Sequence, residues 1–66
     1  MDVIGLASAV AQICNKLLPA RKEQAVTELH TLEGLLARAL KENEDVLAAQ
    51  IRKRMKQLRD KFPDIE

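Results

Sequence analysis

Aromatic side chains are almost missing from this chain. It has no Trp and no Tyr, and Phe62 stands alone. Without aromatics there is no platform on which unpaired bases could stack, so a single-strand nucleic-acid reader is excluded. Cysteine is as scarce. Cys14 is the only one, so no disulfide can form within the chain. His30 is the only histidine, and no Cys/His cluster is present to hold a structural zinc. Two Gly and two Pro leave no glycine-rich phosphate loop, and no serine nucleophile elbow occurs. Long hydrophobic runs are lacking too. The opening stretch falls short of the about 18–20 apolar residues of a membrane span and contains Gln12 and Asn15. Asp2 stands where an export signal would be basic. A lone free thiol suits a reducing compartment, so a cytoplasmic location is expected. No catalytic constellation, metal site or cofactor is expected.

What remains is helix-forming material. Apolar residues make up 47% of the 66 and charged residues 32%, with Ala, Leu, Glu, Lys, Gln and Arg prominent. The fold class is all-α: a single small domain over residues 1–66, of two to three helices forming a helical hairpin. A chain this short rarely builds a core worth more than about 3–5 kcal/mol. With disulfide and metal excluded, oligomerisation is the remaining source of stability, so an oligomeric bundle or coiled coil is expected, most simply a homodimer.

Three apolar stripes at spacings of 3 and 4 mark the helices. The first, over residues 2–18, carries Val3, Leu6, Val10, Ile13 and Leu17, with Asp2 as its cap. The second, over 19–41, opens at Pro19, a good first helical residue, and carries Ala25, Leu29, Leu32, Leu36 and Ala39. Gly34 interrupts it, either as a tolerated surface glycine or at a close helix crossing. The five polar residues Lys41 to Asp45 then form a turn, with Asn43 able to take the left-handed conformation and Asp45 the next N-cap. One continuous helix from Pro19 to Phe62 is the rival. The third stripe, over 46–62, carries Leu47, Ile51, Met55, Leu58 and Phe62; Pro63 ends it and leaves a frayed tail.

Charge is uneven along the chain. The net charge is +1, yet the last third holds Arg52, Lys53, Arg54, Lys56, Arg59 and Lys61. The middle helix is mildly acidic, with Glu28, Glu33 and Glu42.

The run Ala48-Ala49-Gln50-Ile51-Arg52-Lys53-Arg54-Met55-Lys56-Gln57-Leu58 resembles the second helix of the UVR motif, and Leu32-Glu33 through Leu36 and Ala39 resembles its first. That motif is a short antiparallel helical hairpin of excision-repair proteins and some protease adaptors. Lys53 stands where the family usually has Asp, and Val46 where an aromatic follows the turn. The resemblance implies a hairpin that pairs with another protein. In size and style the chain also resembles small phage-encoded accessory proteins.

The expected function is therefore a non-catalytic protein–protein interaction module, an adaptor, inhibitor or assembly factor acting as a homo-oligomer with a further protein partner. Its expected interface is Val3, Leu6, Val10, Ile13, Leu17, Leu29, Leu32, Leu36, Leu47, Ile51, Met55 and Leu58. The alternative is nucleic-acid binding through Arg52, Lys53, Arg54, Lys56 and Arg59. In that case the competing reading is a solvated face, or one neutralised by the acids of the middle helix. A second alternative is a membrane-surface helix over residues 3–18. His30, with Glu33 one turn later, reads as a solvated histidine, and Cys14 as a buried small hydrophobe.

Overall fold

The computed structural model describes residues 3–65, with side chains from Gly5 onward. Asp2 and the side chain of Val3, a proposed cap and a proposed contact, lie outside the described residues. Three helices follow one another: α1 (Val3–Cys14), α2 (Lys22–Lys41) and α3 (Asp45–Lys61). The described chain is all-α.

α2 and α3 form an antiparallel hairpin, with Lys22 beside Asp64 and Glu28 beside Arg54. The rival continuous helix is ruled out by the turn between them, and Asn43 makes that turn. Asn43 is the only non-glycine residue with positive φ among those described, at 58°. Its N–H donates to Leu40 O (3.2 Å), and the N–H of Glu44 reaches back to Ala39 O (2.8 Å). These two bonds are a Schellman closure, which pairs carbonyls that the helix end would otherwise leave open. Asp45 is not the N-cap. Glu44 holds that place, and Asp45 lies in the first turn, where its charge suits the helix dipole.

α1 packs against both helices of the hairpin, and the linker after it follows α3 toward its C-terminal end. Along this line Cys14 Sγ lies 3.9 Å from Gln50 O, and Lys61 Nζ lies 2.8 Å from Pro19 O. α1 is shorter than its apolar stripe, ending at Cys14 rather than Leu18. Pro19 disfavours the helical region for Leu18. α3 then captures the carbonyls of Lys16, Leu17 and Pro19, so an extended linker is satisfied where a helical one is barred. For the same reason Pro19 does not start α2. The helix begins at Lys22, after an extended Arg21 at φ −116°, ψ 146°.

The core is closed within one chain. Leu6, Val10, Ala25, Leu32, Ala39, Ile51 and Leu58 are each 0% exposed. The accessible surface is 4507 Å². A compact monomer of this mass exposes about 4,200 Å², so the chain is folded nearly as tightly as a stand-alone domain of its size. The tail is docked rather than frayed: Ile65 is buried, its N–H bonds Phe62 O (3.1 Å), and Asp64 pairs with Lys22. Gly34 sits on open surface, with nothing within 4 Å of where a Cβ would stand, so no helix crosses there.

Candidate functional site

The expected interface divides on folding. Leu6, Val10, Leu29, Leu32, Ile51, Met55 and Leu58 are buried in the chain's own core. In this conformation they offer no surface to a second molecule, because the three helices already cover them. Ile13, Leu36 and Leu47 are partly buried against the same core. Leu17 goes the other way. It lies beyond the end of α1 and is 94% exposed. Leu40, in the last turn of α2, and Val46, in the first turn of α3, are also exposed, at 48% and 72%. Neither belongs to the expected interface. Three large apolar side chains therefore stand in water, two of them at the hairpin end.

The basic residues divide as well. Arg54 is withdrawn from solvent, its side chain 4% exposed. Its Nε donates to Glu28 Oε2 (2.6 Å) and its Nη2 to Glu28 Oε1 (3.1 Å), a fork-to-fork ion pair. Nη1 donates to Lys16 O (2.9 Å) and Nη2 also to Leu17 O (3.2 Å). One guanidinium thus fastens the linker after α1 to α2 from a seat on α3. The hydrogen-bonded Glu28 carboxylate holds the Arg54 pKa above its already high ordinary value, against the opposing effect of burial. As a phosphate-binding residue Arg54 is therefore a correction: its donors are taken by the protein. Lys61 is engaged too, with its ammonium on Pro19 O and 5.5 Å from the Phe62 ring centroid.

Arg52, Lys53, Lys56 and Arg59 remain exposed on the outer face of α3. Among the described residues none of the four makes an ion pair or hydrogen bond. Neutralisation by the middle helix thus applies to Arg54 alone. Glu28 is spent on it, and Glu42 pairs within its own helix end with Arg38 (3.3 Å).

The remaining chemistry is sparse. His30 and Glu33 are both exposed on α2. Among the described residues no group of three or more His, Cys, Asp or Glu side chains could hold a metal ion. Cys14 is half-buried, and burial pushes its thiol pKa up, with the Arg54 charge partly offsetting this. A thiol so shifted is a poor nucleophile at neutral pH. Among the described residues no helix is long and apolar enough to cross a membrane.

Sequence reasoning offered Glu28 among the acids that could neutralise the basic face but did not single out Arg54 as its partner, although a signal was there. Arg54 stands three residues after Ile51 and four before Leu58, and Glu28 three after Ala25 and four before Leu32. Each charge sits at the edge of its helix's apolar stripe, at matching places on two antiparallel helices.

Compared with models of known families, with curated proteins and with solved structures, the chain matches none of them.

Proposed function

We propose that this chain is a small, non-catalytic interaction module that docks on other protein chains, its own copies included, as an adaptor, inhibitor or assembly factor in the cytoplasm. The observation that carries this reading is the exposed apolar pair Leu40 and Val46 at the hairpin end. The fold has already buried the side chains that stability needs, so a leucine and a valine left in water at that end are available for a contact outside the chain. The likeness of residues 32–58 to the UVR hairpin, which pairs with another protein, supports the same reading. Docking would then use the outside of a finished unit and not a shared core.

Sedimentation equilibrium is the test, on the wild type and on Leu40→Ser/Val46→Ser. Self-association in the micromolar range that disappears in the double variant supports the reading for copies of the chain. A wild type that stays monomeric at about 200 µM, some hundredfold above a micromolar Kd, removes homo-oligomerisation from the proposal.

A further inference from the structure

The four unpaired cations of α3 play no part in that docking surface. We propose that the outer face of α3 binds the phosphate backbone of duplex nucleic acid, independently of sequence, through Arg52, Lys56 and Arg59, with Lys53 at the margin.

Position, exposure and the lack of internal partners support this. At 100° per residue, Arg52, Lys56 and Arg59 fall within one arc about 60° wide on the flank of α3, centred about 100° round the helix from the core stripe of Ile51, Met55 and Leu58. They span seven residues, about 10.5 Å of helix axis. A duplex strand carries one phosphate per about 3.4 Å of axis, so a stretch of this length passes several phosphates of the nearer strand, within reach of three long cationic side chains. The cations are unpaired, as shown above, and Asp60 is the one acid among them on this stretch of α3. Duplex is favoured over single strand because the sole aromatic, Phe62, is packed against the core under Lys61 and offers no ring for stacking. A duplex is also favoured over an acidic protein surface, because no exposed large apolar side chain lies among these cations to anchor a protein partner.

Fluorescence anisotropy on the full chain tests this, with labelled duplex DNA, duplex RNA and a single strand, each about 20 nucleotides long, titrated from about 20 to about 200 mM NaCl. The expected result is duplex binding at low salt, of DNA or RNA, with a slope of log K against log salt near −3 for three contacts. Arg52→Gln/Arg59→Gln should weaken binding by about tenfold or more and flatten the slope by about two. Arg21→Gln/Lys41→Gln removes the same charge from exposed sites off this face and should stay within about twofold of wild type. All four residues are exposed, and an unchanged circular dichroism spectrum confirms that the fold is kept. Four results would overturn the proposal: no binding at about 20 mM salt, equal loss in both double variants, tighter binding to the single strand, or competition by polyglutamate as effective as by duplex at equal charge. The last would assign the face to an acidic protein.

Discussion

Replacing Arg54 by methionine removes the guanidinium while keeping most of the apolar stem. Two hydrogen bonds to Glu28 and two to the Lys16 and Leu17 carbonyls go with it. Glu28, 16% exposed, is left as a poorly solvated carboxylate. Removing one partner of a buried pair costs about 3–5 kcal/mol, and the partial exposure of Glu28 puts this case near 3 kcal/mol. A chain of this length is stable by about 3–10 kcal/mol in all, so the loss takes a large share. With a urea m-value of about 1 kcal/mol/M, the midpoint should fall by about 3 M, read from helical circular dichroism. Glu28→Met should cost somewhat less, because Arg54 keeps its two carbonyls. The double variant should sit no lower than Arg54→Met alone, since two apolar side chains replace a satisfied pair, giving a coupling of about 2 kcal/mol. A loss below about 0.5 kcal/mol for Arg54→Met, well under the cost of a broken buried pair, would falsify the latch.

Gly34→Ala should raise stability by about 1 kcal/mol, or about 4–8 °C in Tm, because its Cβ meets nothing; destabilisation would mean that Gly34 is covered. Asn43→Gly should be neutral or mildly stabilising in the same urea assay, and Asn43→Val should cost about 1–2 kcal/mol, since φ at 58° strains a β-branched residue. The Asp64 carboxyl should titrate below the ordinary Asp range by NMR, because Lys22 donates to it and its own backbone adds a second bond. A depressed folded-state pKa gives stability that is present above the unfolded pKa and lost as pH falls through the folded one. Lys22→Gln should therefore move the titration back up and remove that small acid-side dependence; an unmoved titration would show the pair is not formed in solution.

The helices were legible because their cores repeat at the helical period: Ala25, Leu29, Leu32 and Ala39 on α2, and Ile51, Met55 and Leu58 on α3, are all buried. Asn43 was legible for a local reason, since few residues other than glycine tolerate the left-handed region. The ends of α1 and α2 were not legible, because they depend on Arg54 and Lys61, about 40 residues away, capturing the carbonyls of Lys16, Leu17 and Pro19. Periodicity also cannot tell whether an apolar stripe is covered by its own chain or by another. Leu6 and Leu17 look alike in the sequence, yet one is fully buried and the other almost fully exposed. Nor does a run of cations disclose which member is spent internally. Arg54 shares its residue type with Arg52 and differs only in its register against Ile51 and Leu58.

The concentration dependence of unfolding addresses the closed single-chain core most directly. It is best measured on Leu17→Ser/Leu40→Ser/Val46→Ser, so that contacts made by the exposed apolar side chains do not enter. From about 2 to about 200 µM the urea midpoint should stay constant, because no second chain is needed to cover Leu6 and Val10. A midpoint that climbs steadily with concentration would mean that those side chains are buried between molecules, contradicting the fold described above.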